Sequence, residues 1–360
     1  MSDCEFSSAV RPILLGRDLS EIVAETQRAG FEAYRGKQLF FWLYQKGVDS
    51  LDRATNLPKA YRAYWDERYA VGMPAIERTT GRPGGTQKIL YRLRDGQCIE
   101  GVLMRDKGRA SLCVSTQAGC ALRCQFCLTG LGGFARDLEP GEIVGQVLAS
   151  RALLGPNEPL NNMVFMGMGE PLLNLEAVIK ALRLIVSPQA MAFSSRRATV
   201  STAGVAPGIR KFSDAQTGAN LAVSLNATTD EVRDRLMPIN RKYPLAELLD
   251  ACRAFVMPNR RRITFEYVLL RGVNDSPADA KRLVKLVHGI PCKINLILFN
   301  RHEALPFQPS NPEAVEAFRA IVSDANYTVA VRHSKGQEIQ AACGQLAGHV
   351  DPEMLRKRAE

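Results

Sequence analysis

Leu112-Cys-Val-Ser-Thr-Gln-Ala-Gly-Cys120-Ala-Leu-Arg-Cys124-Gln-Phe-Cys127 joins two patterns. Its first half starts as a strand-like run, and its second half is a loop that holds three thiols. From residue 111 onward the chain alternates such runs with helical periodicity. Candidate strands cover 111–116, 162–167, 197–201, 221–225, 263–269 and 292–298. Helical stretches follow at 141–154, 175–186, 205–212, 230–237 with 245–256, and 277–289, then a last helix at 312–324 and a strand at 327–332. Strand-then-helix units of this kind predict an α/β fold with a parallel sheet, a partial or full (βα)6-type TIM barrel. Catalytic loops in that fold follow the C-terminal ends of the strands, and the three cysteines follow the first strand.

Upstream, residues 18–71 read as helices. Asp18 and Glu21 predict a capping box for the first, which Gly30 ends. A second helix is expected over Tyr34–Lys46 and a third over Leu57–Tyr69. Gly-Arg-Pro-Gly-Gly at 81–85 reads as a turn or linker. Two alternating runs, from Ile89 and over Cys98–Met104, flank Asp95-Gly96 and predict a β-hairpin. The expected organisation is an N-terminal helical accessory domain (1–80), a β-hairpin extension (81–110), a barrel (111–335) and a C-terminal tail (336–360).

The 360 residues are 46% hydrophobic and 23% charged, ordinary values for a globular chain. No run approaches the length of a membrane span, and Met1–Arg17 does not read as a signal peptide, so a cytoplasmic protein is expected, with no membrane partner. The net charge of +10 suits a polyanion such as nucleic acid. Residues 233–262 hold eight basic side chains against three acidic ones and end in Arg260-Arg261-Arg262.

Nine cysteines in a chain with no secretory signal point to metal binding or catalysis. A closed structural zinc site needs four ligands, whereas a four-iron cluster on Cys120, Cys124 and Cys127 leaves one iron open. Zinc completed by a distant ligand and unrelated buried thiols stay open as alternatives. Met166-Gly-Met-Gly-Glu-Pro171 ends the second strand, where Gly167 and Gly169 permit close backbone approach and Glu170 can accept from an ammonium.

The cysteine spacing after the first barrel strand resembles the radical S-adenosylmethionine (SAM) enzymes. That resemblance implies a 4Fe-4S cluster on Cys120, Cys124 and Cys127, with SAM on its open iron. Ala341-Ala-Cys343-Gly-Gln-Leu346, the stretch 112–120, Met237–Pro244 and Ile263–Leu270 narrow the resemblance to the RlmN/Cfr RNA methyltransferases, from about residue 20 to about 348. The family implies two SAM molecules per turnover. Cys343 takes a methyl group from one, and the second gives a radical that activates that methyl. Glu100 takes the adenine ring proton, and Cys113 attacks Cys343 to release the product, leaving a disulfide to be reduced. SAM contacts carried over by position are Gly169, Glu170, Ser201, Ser224, Leu225, Asn226 and Asn300. Asn226 stands where His is expected, and the stretch after Asn300 lacks the family's proline-rich segment.

The implied partners are 23S rRNA, tRNA and an electron donor such as flavodoxin, with the enzyme acting as a monomer. Arg35, Lys37, Lys46, Lys59 and Arg62 on the N-terminal helices would hold RNA phosphates. Carbon 2 of adenine is the expected target. Cfr-type methylation at carbon 8 is the near alternative. A radical SAM activase or a non-catalytic iron–sulfur RNA-binding protein is the distant one.

Overall fold

The computed structural model describes residues 11–257 and 261–348. The readings that fall on Cys4, Arg260 and the two chain ends lie outside the described residues. Three helices open the chain: α1 (Leu19–Arg28), α2 (Ala33–Phe41), which runs into a π-turn at Trp42–Lys46, and α3 (Lys59–Arg68). The capping box of α1 is present, with Asp18 accepting from Glu21 N and Glu21 accepting from Asp18 N.

An antiparallel meander follows: β1 (Ala75–Gly81), β2 (Gln87–Arg92) and β3 (Cys98–Asp106). The sequence predicts only the last two strands. β1 is polar and mostly exposed, so it carries no apolar alternation to detect. Residues 81–85 therefore sit at the turn from β1 into β2, and the extension starts at Ala75, inside the stretch assigned to the helical domain.

Next come β4 (Arg109–Cys113), β5 (Gln117–Gly119), α4 (Leu128–Gly132), β6 (Phe134–Asp137) and α5 (Pro140–Arg151). The alternation then runs β7 (Leu160–Phe165), α6 (Leu175–Val186), β8 (Ala198–Thr202), α7 (Ala206–Asp214) and β9 (Asn220–Ser224). It ends with α8 (Asp230–Leu236), α9 (Leu245–Ala254), β10 (Ile263–Leu269), α10 (Pro277–Leu286), β11 (Cys292–Leu298), α11 (Pro312–Asp324) and β12 (Thr328–Arg332).

Ten strands form one mixed sheet in the order β1-β2-β3-β4-β7-β8-β9-β10-β11-β12. Every pairing from β4 to β12 is parallel. The sheet has two free ends, so of the two barrel forms expected it is the partial one, with six βα units and a seventh parallel strand. β10 is buried along almost its whole length, as a parallel strand covered on both faces should be. α6 buries Val178, Ala181, Leu182 and Ile185, at the spacing of one helix face, whereas α5 is buried all round from Gly141 to Ser150. Among the described residues no helix is long and apolar enough to cross a membrane.

The N-terminal helices share one core with the sheet, from Leu39, Tyr61 and Trp65 through to Phe165 and Phe265. The contact is backbone on backbone. A Cβ on Gly141, in the first turn of α5, would lie 2.2 Å from Leu15 O. Helix propensity alone favours Gly141→Ala. Here the clash decides the sign, because neither backbone can give. Gly141→Ala is expected to destabilise the protein by about 1–3 kcal/mol, read as a lower urea midpoint.

Candidate active site

The cysteine loop leaves the sheet just past β4 and is clipped at its base. β5 pairs with β6, and Cys120 N donates to Gly133 O at 2.7 Å. Within the loop Arg123 takes a left-handed φ of 53°, and Cys127 N donates to Cys124 O at 3.1 Å. Gln125 N donates to Leu236 O at 2.9 Å, which ties the loop to the end of α8. Phe126 packs beside Leu128, Leu131, Leu236 and Met237.

The three thiols lie close enough for their charges to act on one another. Burial, then the Cys127 and Cys120 charges, drives the Cys124 pKa well above the ordinary thiol value. Cys120 is pushed up to about 12, mainly by burial. Desolvated thiols that repel as thiolates need a cationic centre to ionise. This all-sulfur donor set therefore fits an iron–sulfur group, held by Cys120, Cys124 and Cys127. Among the described residues no three His, Cys, Asp or Glu side chains gather as they would around a single metal ion.

Beside this loop stands the turn after β7. Gly169 has a φ of 97°, and a Cβ there would lie 2.5 Å from Gln117 Cβ. Gln117 Oε1 accepts from Glu170 N at 2.8 Å. The Glu170 carboxylate accepts from Leu172 N (3.0 Å) and Ala203 N (2.7 Å), tying the turns after β7 and β8 together. Burial raises its pKa to about 7 against the pull of those hydrogen bonds. Ser201 and Ser224 are half-buried near the ends of β8 and β9, and Leu225 is fully buried.

Two of the positions expected to contact SAM have protein partners for their side chains. Asn226, at a left-handed φ of 55°, spends its side chain on the sheet: Oδ1 accepts from Val268 N at 2.9 Å, and Nδ2 points at Met237 Sδ at 3.3 Å. Asn300 serves the tail. Its Nδ2 donates to Ser334 Oγ (2.9 Å) and Cys343 O (3.3 Å), and its Oδ1 accepts from Gln337 Nε2 (2.6 Å).

The tail, 336–348, crosses this rim. Leu128 N donates to Gly344 O at 2.8 Å, and Thr129 Oγ1 donates to Leu346 O at 2.5 Å. Cys343 is crowded by neighbouring protein atoms yet keeps solvent-accessible surface. Burial, then the Glu266 and Cys127 charges, pushes it up to about 11. Cys113 at the end of β4 is pushed up to about 12 by burial and then by the Cys343 charge, so the two thiols feel each other. Glu100 on β3 is buried; it accepts from Ala347 N and Gly348 N of the tail and pairs with Lys88 Nζ at 3.1 Å.

Two residues escaped the sequence reading. Lys88 gave no signal because its partner lies on the next strand. Arg233 counted as part of a basic stretch, but it is fully buried. Its guanidinium donates to Leu225 O (3.0 Å), Ala203 O (2.6 Å), Ser224 O (3.2 Å) and Asn240 Oδ1 (2.9 Å), buttressing the ends of β8 and β9. Burial lowers its pKa to about 10, so it stays cationic at neutral pH, and it feels the Cys124 charge. On the N-terminal helices Lys37, Lys46 and Lys59 are exposed. Arg35 lies over the Tyr34 ring, and Arg62 pairs with Asp52 at 3.6 Å.

Residues 114–284 match the Radical SAM superfamily, and residues 14–71 match the Ribosomal RNA large subunit methyltransferase N-terminal domain. The Dual-specificity RNA methyltransferase RlmN of Geotalea uraniireducens (strain Rf4) is 48% identical over 333 residues, 92% of this chain and 96% of that protein. The chain belongs to the RlmN family. The RlmN of Geobacter sulfurreducens (strain ATCC 51573 / DSM 12127 / PCA) is 49% identical over 336 residues, 93% of this chain and 92% of its own length. A radical SAM methyltransferase from Sphaerobacter thermophilus, solved as a crystal structure, superposes with a TM-score of 0.90 at 41% identity, over 94% of this chain and 100% of that one. Membership in the RlmN family brings with it a 4Fe-4S cluster and SAM as cofactors.

A thiol with a pKa of about 11 is almost wholly neutral at pH 7. Alkylation of Cys343 by iodoacetamide, followed on its peptide by mass spectrometry, should climb about tenfold per pH unit from pH 7 to 10. A plateau near pH 8.5 would mark an ordinary exposed thiol.

Proposed function

We propose that this chain methylates carbon 2 of one adenosine in 23S rRNA at the peptidyl transferase centre, and of the adenosine 3′ of the anticodon in tRNA. The reaction runs through methylated Cys343 and uses two SAM molecules. The observation that carries the reading is that one docked tail lays Ala347 and Gly348 on Glu100 and sets Cys343 where its charge acts on Cys113, beside the cysteine loop. The dual-specificity naming of the relatives favours carbon 2 and both RNA classes over Cfr-type carbon-8 methylation. An activase or a non-catalytic RNA-binding protein has no use for that pair of thiols.

Carbon 2 of adenine is electron-poor, so it does not attack a methyl sulfonium. Cys343 does so instead: its sulfur forms a bond to the methyl carbon, and S-adenosylhomocysteine leaves. The SAM sulfonium, brought near Cys343, favours the thiolate that burial otherwise disfavours. When bound, the cluster supplies the electron that turns a second SAM into a hydrogen-abstracting adenosyl radical. Hydrogen loss from S-methyl Cys343 leaves a methylene radical, which bonds to the ring carbon. Restoring the ring requires loss of one proton, which Glu100 takes, and of one electron, which the bound cluster would take back. Cys113 then forms a disulfide with Cys343 as the sulfur–methylene bond breaks. The electron pair stays on the methylene carbon, which picks up a proton to become the product methyl. An electron donor such as flavodoxin serves the cluster, and a reductant resets the disulfide. Lys37, Lys46 and Lys59 offer an exposed cationic face to RNA phosphates.

The test is anaerobic reconstitution with labelled SAM, a reductant, and rRNA and tRNA fragments, followed by mapping of the methylated atom. Cys343→Ala should abolish transfer, at least a 10³-fold loss by the logic of removing a covalent nucleophile. Cys113→Ala should leave RNA covalently attached to the protein, visible as a shifted band. Normal transfer by Cys343→Ala, or methyl found on carbon 8, would overturn the reading.

A further inference from the structure

The Glu100 carboxylate receives groups from two directions. Oε2 accepts from Ala347 N at 2.8 Å and Gly348 N at 3.1 Å, both on the tail. Oε1 faces Lys88 Nζ at 3.1 Å, from the neighbouring strand β2. Both side chains are largely withdrawn from water, Glu100 at 4% and Lys88 at 15% exposure. The Glu100 main chain is itself held, with N donating toward Met168 Sδ at 3.2 Å and O accepting from Ser115 Oγ at 2.6 Å. The carboxylate therefore has no easy route to follow the tail if the tail moves.

The other tail anchors are neutral: Leu128 N on Gly344 O, Thr129 Oγ1 on Leu346 O and Asn300 Nδ2 on Cys343 O. Glu100 supplies the ionised one. Hydrogen bonds to an ionised acceptor are about twice as strong as neutral ones. A proton on the carboxylate removes its charge, weakens both amide contacts and dissolves the ion pair with Lys88. The titratable groups on the neighbouring elements are Lys88 on β2, Cys113 on β4 and Cys343 on the tail itself. Both thiols are neutral near pH 7, so Lys88 is the charge that acts on Glu100 there.

We propose that Glu100 is a proton-operated latch on the tail, with Lys88 as its positioning residue. With Glu100 ionised the tail is docked and Cys343 sits near Cys113. When Glu100 takes the ring proton, its hold on Ala347 and Gly348 slackens, and the segment bearing Cys343 gains the play its sulfur needs to align with the nearby Cys113. The step moves one proton from the ring carbon to a carboxylate oxygen and makes or breaks no other covalent bond. It rests on the reading of Glu100 as the proton acceptor and adds that the same proton controls the tail.

The readout is hydrogen–deuterium exchange of the 341–348 peptide in full-length, cluster-reconstituted protein without RNA. Glu100→Gln keeps the shape of the acid but not its charge. It should speed exchange about tenfold at pH 7, the difference between charged and neutral hydrogen bonds. Lys88→Met, which removes the charge 3.1 Å from Glu100, should also speed exchange of this peptide at pH 7, and Lys88→Arg should restore protection. Unchanged exchange in Glu100→Gln with an intact cluster spectrum would overturn the latch. If Glu100→Gln stalls RNA on the protein but leaves the tail protected, the acceptor role stands and the latch falls. If it loosens the tail yet releases methylated RNA normally, the acceptor role falls and the proton-operated latch with it, leaving Glu100 as a static anchor of the tail. Should Glu100→Gln fail to fold, the exchange rate in Lys88→Met decides alone, and unchanged exchange there overturns the latch.

Discussion

β4 is hydrogen-bonded on both sides, to β3 running against it and to β7 running with it. The site depends on this one strand. Its parallel partner sends the glycine-rich turn of Gly169 to the same rim that the cysteine loop leaves from. Its antiparallel partner pairs Val102 with Cys113, so Glu100 lies two residues past the end of β4, beside Ser115. A slip of one residue would turn Glu100 to the opposite face of the sheet. The meander is thus an extension of the barrel sheet that carries an acid to its mouth.

Desolvation sets the electrostatics of the rim. Burial is the leading cause that raises Cys113, Cys120, Cys124, Cys343 and Glu170 and lowers Arg233. Each group is pushed toward its neutral form, so charge there has to be balanced locally. A cationic sulfonium or an iron centre would do this for the thiols. Lys88 already does so for Glu100. Arg233 keeps its charge by distributing it over three backbone carbonyls and Asn240.

The tail is the other dependent element. It belongs to no strand or long helix, and its position is set by groups from β3, from the start of α4 and from just past β11. Each anchor contributes little, and together they hold Cys343 near the rim while leaving it exposed. Ala341 and Leu346 also reach into the hydrophobic core, so the tail is docked by apolar packing as well as by these polar contacts.

What the sequence determined by itself was local. Periodicity marked the βα units close to their observed bounds, the Asp18–Glu21 pattern marked a cap, and cysteine spacing with the family's motifs marked candidate site residues. These signals are carried within a turn or a strand, or by whole motifs. β1 escaped because a polar edge strand has no apolar period. The commitments of Asn226 to the sheet and of Asn300 to the tail, the burial of Arg233, and the meeting of Lys88, Glu100 and the tail amides were decided only by the tertiary structure. Each joins residues that strand register or chain reversal brings together, and a hydrogen bond across such a distance leaves no trace in composition or spacing.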